Sequence, residues 1–416
     1  MENFSHSLAG LAAGELLQRS LQPEPTSEAQ SLRRRMLLAT CAIAANLPDL
    51  DLVLTPLLPA PLGYLLHHRG HTHTLLYAVP QALALIALVW LLWPGARRLL
   101  RASASARIGL AAASAIGLLL HLLMDYFNSY GLHPFHPLDA RWLYGDMVFI
   151  VEPVFWTAFG VPLMMMAPRR WISIALLAML ASALAAFTWL GFLHWSSLAC
   201  LALLATLLAG AQHRAGASGR QALVAGMLAC AAFVGLQAWG SSAGRQQVAA
   251  HLQGNGASGR LLDVAMTPFP SNPVCWSFVT VERNDSGGTF HVRRGLLSLA
   301  PGVLPLPNCP AAFMQLLPAP SASFGIVWES QNDLGALRSL ASSCHAHAWM
   351  RFARAPFIVD GVLDDARFSG RGEQTGGRPR SSFSTFDPAR MAGLPCPAGV
   401  PEWGLPRQDL LDLPQQ

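Results

Sequence analysis

The chain has no lysine: all 28 of its basic residues are arginine. Charge of either sign is scarce, at 12% of 416 residues, where an average soluble domain carries about 25%. With hydrophobic residues at 52%, that deficit excludes a disordered chain and argues against a purely soluble enzyme. The net charge of +5 is small for this length. The arginines cluster in loops beside apolar runs, so they report membrane topology, and no direct nucleic-acid binding is expected. Residues 1–20 also lack a basic n-region, with Glu2 and His6 standing where one would be, so they do not read as a cleavable signal peptide. No internal repeat is present.

Long apolar runs occupy 74–93, 108–127, 147–166, 172–193, 196–212 and 221–240. Each is near the ~20 residues that cross the hydrocarbon core. Two shorter runs, 5–19 and 33–47, reach only ~20 Å as helices and suggest a tilted hairpin. If the runs alternate direction, Arg33, Arg34, Arg35, Arg97, Arg98, Arg101, Arg107, Arg169, Arg170, Arg214 and Arg220 fall on one side. The opposite loops carry Arg69 and Arg141. The positive-inside rule makes the arginine-rich side cytoplasmic and places both the N-terminus and the C-terminal region outside, in a bacterial periplasm.

The expected architecture is an all-α polytopic membrane domain of about six to eight helices over residues 1–240. A polar, glycine-rich linker at 241–260 and a smaller β-rich extracytoplasmic domain at 261–416 follow. Trp276–Glu282 and Thr289–Arg293 read as a β-hairpin around the turn residues 283–288. Trp349–Val359 and Val362–Phe368 read as further strands, and 369–382 as a loop. Cys275, Cys309, Cys344 and Cys396 allow two disulfides in an oxidising compartment, with three pairings open. Cys344-His345-Ala346-His347 has no second ligand cluster beside it and reads as strand or loop.

Against this apolar background the polar residues stand out. They are His6, then Asn46, Asp49 and Asp51, then His67, His68, His71 and His73, then His121 and Asp125. Asn128, His133, His136, Asp139, Asp146 and Glu152 follow. An ionisable group at mid-membrane costs at least ~2.5 kcal/mol on insertion scales, so such groups mark sites. In the alternating topology five segment ends bring carboxylates and imidazoles to the outer face. Imidazole with carboxylate suits Zn²⁺, Mn²⁺ or Fe²⁺. His121 and Asp125 are four apart and share a helix face. His68 and His73 bracket a glycine-containing loop, and Pro48 presents Asp49 and Asp51 on a turn. Arg69 is placed to hold a phosphate or orient a carboxylate. His133 and His136, in a proline-rich loop, read as surface residues.

These motifs resemble the YdjM-like inner-membrane family, whose members are read as metal-dependent hydrolases. The likeness covers about residues 3–165. It rests on Phe4-Ser5-His6-Ser7, Pro48-Asp49-Leu50-Asp51, His68-Arg69-Gly70-His71-Thr72-His73, and His121-Leu122-Leu123-Met124-Asp125 with Tyr130-Gly131. The tail's Pro268–Pro273 with Trp276 also looks family-like. The order His, Asp, His, His-x3-Asp is similar to that of zinc-dependent phospholipase C and the P1-type nucleases. That resemblance implies His6, Asp49, His68, His121 and Asp125 as ligands; His133, His136, Asp146 and Glu152 have no clean counterpart. The family also carries an association with the LexA repressor.

The sequence therefore points to a membrane-bound hydrolase using one or two divalent ions, zinc before manganese or iron. Its substrate would be a phosphoester of a lipid or lipid-linked molecule at the outer face of the inner membrane. His6, Asp49, His68, His73, His121 and Asp125 are the expected ligands, with Asp51, Glu152 and Arg69 in catalytic roles. The alternative is a non-catalytic scaffold or regulatory binding protein with a structural metal. A transporter ranks last, because the later segments offer almost no polar path inward.

Overall fold

Polar residues ahead of several of the apolar runs become helix caps. In the computed structural model Glu2, Thr26, Thr74, Ser103 and Glu152 each accept a backbone N–H at the start of the helix that follows, removing an orphan donor. The structure describes all residues except 217–218, 255–258, 315–320, 370–382, 400–401 and 412–416.

The helical region opens with α1 (Asn3–Ser20) and α2 (Ser27–Ala44). A 3₁₀ segment, Leu47–Leu57, starts at the Leu47-Pro48 step. A short α3 (Leu62–His67) and a single turn, His71–His73, lead into α4 (Leu75–Leu92). Then come α5 (Pro94–Ala102), α6 (Ala104–Tyr126), α7 (Pro153–Met165), α8 (Arg170–Trp189), α9 (Trp195–Ala215) and α10 (Gln221–Gly254).

Among the described residues, five helices are long and apolar enough to cross a membrane: α4, α6, α8, α9 and α10. They become six if α2 and the 47–57 segment, bent by 40°, form one span. The apolar runs had suggested up to eight. Two runs fall short of that length and apolarity: α1 buries Glu15 and Gln18 in its last two turns, and α7 has only 13 residues, nearly all buried inside the bundle.

The stretch 241–260, expected as a linker, is helical as far as Gly254. Its alanines and glutamines favour helix, and Val248 and Leu252 pack on Val264, Met266, Trp276 and Phe278 of the following sheet. That sheet is antiparallel, in the order β1 (Arg260–Phe269), β2 (Asn272–Asn284), β3 (Thr289–Ser298), β4 (Phe324–Asp333). The β2–β3 hairpin pairs Asn284 with Thr289, as expected.

The short helices α11 (Ala311–Met314), α12 (Leu334–Ala341) and α13 (Cys344–Met350), a β5–β6 hairpin (Pro356–Val359, Val362–Asp365) and α14 (Gln408–Leu411) complete the region. Helix α13 overturns the strand expected from Trp349: Ser343 caps an alanine-rich turn, and extended structure begins only at Pro356. The Cys344–His347 run thus lies on this helix. Cys275 pairs with Cys309 and Cys344 with Cys396; Cys41, Cys200 and Cys230 are free. The loop expected at 369–382 lies, beyond Ser369, outside the described residues.

The two regions interlock. Leu62, Leu65 and Leu66 of α3 are fully buried in the core of the C-terminal region with Val281, Phe290, Trp349 and Phe357. Asp146, after α6, accepts both Nη atoms of Arg354 at 2.8 Å and a third bond from Arg245 at 2.7 Å. Arg354 also meets Asp263 of β1. This arrangement fixes Asp146 as an ion-pair partner of the tail.

Candidate metal centre

Small residues bring the framework helices close enough to build the site. A Cβ on Gly10 would lie 2.8 Å from the Cys41 carbonyl oxygen, and one on Gly117 would lie 2.6 Å from the same oxygen. The Gly10–Gly14 spacing on α1 is the small-xxx-small pattern of membrane helix packing. With α6 drawn against the end of α2, His121 Nδ1 reaches the Ala45 carbonyl at 2.8 Å. Asp125, one turn later, shares its face.

The 47–57 segment turns its acids inward. Asp49 and Asp51 are buried, while Leu50, Val53 and Leu57 are exposed. The 68–73 loop then wraps Asp51. Thr72 Oγ1 donates to Asp51 Oδ2 at 2.7 Å and the Arg69 amide donates to the same oxygen at 3.0 Å. Asp51 also lies 3.1 Å from His73 Nδ1 and 3.2 Å from His68 Nδ1. Arg69 takes up a left-handed backbone (φ 61°) to make this loop, a conformation that costs a non-glycine residue energy and persists where surrounding contacts hold it.

The result is a knot of donors. His73 Nε2 and His121 Nε2 face one another at 3.0 Å. Asp49 Oδ1 lies 3.4 Å from the first and 3.7 Å from the second. Asp125 Oδ2 lies 3.5 Å and 3.7 Å from the same two nitrogens. One atom from each of Asp49, His73, His121 and Asp125 falls within 4.8 Å of every other, and Asp51, His68 and His73 form a second such group. His6 stacks on His121 with ring centroids 4.2 Å apart, and its Nε2 is 3.4 Å from Asp125 Oδ1. Both His6 nitrogens are buried without a hydrogen bond. The amino group of Met1 also touches Asp125.

The hydrogen bonds decide which nitrogens are free. His121 Nδ1 faces a carbonyl oxygen, so it carries the proton. His73 Nδ1 faces the Asp51 carboxylate, which fixes the same tautomer. Both Nε2 atoms are then lone-pair donors aimed at one point, with carboxylates on either side. Two such lone pairs at 3.0 Å repel unless a positive charge, a proton on His73 or a metal ion in its place, sits between them. Burial disfavours a charged His73, but Asp125, Asp49 and Asp51 around it raise its pKa to about 10. The pocket therefore favours positive charge. The donor set fits a divalent transition ion, with His73, His121, Asp49 and Asp125 as its natural holders.

The structure brings His6, Asp49, Asp51, His68, Arg69, His73, His121 and Asp125 together, and leaves Glu152 out. Glu152 is buried, caps α7, and accepts the Ser271 hydroxyl at 2.6 Å and the Ser271 amide at 3.1 Å. Among the described residues no hydrogen bond or ion pair joins it to the cluster. Both Nη atoms of Arg69 are engaged within the framework, while its Nε is buried without a hydrogen-bond partner. Its Nη1 donates to the Gly131 carbonyl at 3.0 Å and to Asn128 Oδ1 at 3.2 Å, and its Nη2 lies 3.1 Å from Asp125 Oδ2. It orients the Asp125 carboxylate.

His133, expected at the surface, is buried and stacks on Trp403 of the tail at 4.4 Å; burial pushes its pKa down to about 3. Thr72 and the Ala45 carbonyl went unnoticed in the sequence. A threonine between two histidines and a backbone oxygen carry no compositional signal.

Residues 1–193 match the YdjM inner membrane protein family. The chain is 26% identical over 153 residues to the uncharacterized protein YfhP of Bacillus subtilis (strain 168). That alignment covers 37% of this chain and 42% of the relative, so the chain spans less than half of that protein's length. No solved structure matches the chain. The matched stretch, residues 1–193, holds every residue of the cluster, so the likeness to the YdjM inner membrane protein family covers the whole candidate site.

Proposed function

We propose that this protein is a membrane-bound, metal-dependent hydrolase acting on a phosphoester of a lipid or lipid-linked molecule at the outer face of the inner membrane. The observation that carries the reading is that the Nε2 atoms of His73 and His121 face one another at 3.0 Å between the carboxylates of Asp49 and Asp125. Zn²⁺ suits these donors best, with Mn²⁺ or Fe²⁺ next. A divalent ion held there supplies Lewis acidity and lowers the pKa of water toward neutrality.

The chain's own groups divide the remaining work. Asp51 holds the Nδ1 protons of both His73 and His68, fixing two imidazoles at once. His68 is the least buried histidine of the cluster, and with Nδ1–H on Asp51 its Nε2 takes up and returns the proton. Arg69 offsets the charge of Asp125 and holds it in place. His6 stacks under His121 and blocks its rotation. If all eight apolar runs cross in alternation, the arginine asymmetry of the loops puts the site and the C-terminal region on the outer, periplasmic side.

Elemental analysis of the purified protein tests the reading. The wild type should carry stoichiometric transition metal, and His121→Ala and Asp125→Ala should carry none. Metal-dependent release of phosphate or headgroup from membranes should disappear in the same variants. A wild type free of metal would sink the proposal, whereas metal without turnover would leave a structural metal on a scaffold.

A further inference from the structure

The 47–57 segment is inside out. It buries Pro48, Asp49 and Asp51 and exposes Leu50 at 59%, Val53 at 72% and Leu57 at 69%. In water that pattern exposes a costly apolar ridge; against hydrocarbon it is the favoured one. This ridge runs directly into a groove of about 850 Å³ between the helical region and the tail. The volume suits a small-molecule ligand. Pro56, Leu58, Pro61 and Tyr64 form one wall, and Val362 and Phe383 of the C-terminal region face them. Asp387 and Arg390 also line the groove, 3.6 Å apart, Arg390 largely exposed and Asp387 partly buried. The Tyr64 ring closes the inner end. On one side it packs on Phe383 at 5.1 Å, and on the other on His68 at 5.0 Å, the open edge of the metal cluster.

We infer that this groove receives the hydrocarbon chain of a membrane lipid, which slides in from the bilayer past Leu57 and sets its headgroup at the His68 edge. The inference rests on the hydrolase reading for what happens to the headgroup, but the chain-binding site stands on the groove itself. The occupant is a lipid chain because the lining is mainly apolar, with Thr55, Asp360, Thr385, Asp387 and Arg390 as its polar members, and is continuous with a surface that faces hydrocarbon. A soluble phosphoester would need neither feature. The tail thereby supplies half of a substrate site whose chemistry belongs wholly to the helical region.

The test uses full-length protein in nanodiscs containing a phosphatidylglycerol with a diazirine on one acyl chain. After irradiation, labelled peptides should map to residues 56–64 and 383–390. Filling the groove with Leu58→Trp, or from the other wall with Val362→Trp, should abolish that labelling while the metal content stays at the wild-type level. Labelling confined to α4, α8 and α9, or unchanged in both variants, would overturn the inference. Wild-type hydrolysis of bis(p-nitrophenyl) phosphate, which has no chain to seat, is read in the same preparation. Labelling without turnover removes the catalytic reading and leaves the groove; turnover without labelling removes the groove and leaves the catalysis.

Discussion

The two regions of this molecule bury opposite things. In the helical region the outside is apolar, with Leu83, Leu92 and Trp189 well exposed, while the interior holds Glu15, Arg33, His121 and Asp125. In the C-terminal region Phe290, Trp349 and Phe357 are inside, as in any soluble domain. One rule produces both patterns: each surface matches its solvent, hydrocarbon in one case and water in the other. The two orders collide at the joint, where neither solvent is available. There the chain places the loops of its candidate metal site and two buried polar contacts, Asp146–Arg354 and Glu152–Ser271. The comparison teaches that the tail is a wall of the site, because α3, which ends beside His68, is rooted in the tail's own core.

The sharpest way to break that comparison is Arg354→Ala. It strips the bidentate partner from buried Asp146, leaving only Arg245 at 2.7 Å, and leaves Asp263 with Arg407 at 3.7 Å. Removing one member of a buried pair costs ~3–5 kcal/mol. The expected outcome is easier proteolysis between the regions and lowered metal content, because the 128–146 loop loses its anchor. Elemental analysis together with limited digestion checks this. A variant that digests faster yet keeps its full metal would show that the helical region organises the cluster alone.

Leu65→Ala probes the same dependence from the other side. Leu65 is fully buried in the tail's core, and a leucine truncated there costs ~2–5 kcal/mol. The C-terminal region should unfold at lower temperature in detergent, and metal retention during chelator challenge should fall with it. If thermal unfolding of the tail leaves metal retention untouched, the two regions are independent.

Asp51→Asn acts on the chemistry with little change in volume. It removes the charge that holds His73 and His68 in their tautomers. Losing such a support typically weakens metal affinity ~10–100-fold. Competition with a chromogenic chelator measures it. Affinity equal to the wild type would mean that the loop backbone alone orients the histidines.

How much of this could be read in the sequence follows from where each signal lives. The cluster was legible because charge in an apolar run is expensive, so His121-x3-Asp125 and the 68–73 histidines announce themselves. The β2–β3 hairpin was legible because Asn284–Gly288 supply turn chemistry between alternating runs. What escaped was long-range. Nothing in a single sequence says that Asp146 pairs with Arg354, 208 residues away, or which of the 28 basic residues it would choose. Glu152 read as a site residue for the same reason as Asp125, since both are acids at a helix end. Only the fold shows that one faces Ser271 and the other faces two imidazoles. The linker was misread because polar, small residues suit a loop and a sheet-facing helix equally well.

The smallest expected effect isolates the second joint contact. Burial raises the pKa of Glu152 to about 7 from 4.5, and its bonds from Ser271 and the Val154 amide offset only part of that shift. The folded protein therefore binds this proton more tightly than the unfolded chain does. Stability from this group is fully present below the unfolded value and is lost as pH rises through about 7, because ionising a buried acid without a cation works against the fold. The joint should thus loosen between pH 5 and pH 8, the direction opposite to that of a salt-bridged carboxylate such as Asp263, whose pKa stands at about 2 beside Arg354 despite its burial. Glu152→Gln keeps the shape and removes the titration. The difference in melting temperature between wild type and Glu152→Gln, followed across that range, cancels every other group. A slope favouring the wild type at low pH supports a protonated glutamic acid bridging the two regions. A flat difference would mean that the Ser271 bonds hold the carboxylate ionised, and that the joint, like the surfaces on either side of it, is already matched to its surroundings.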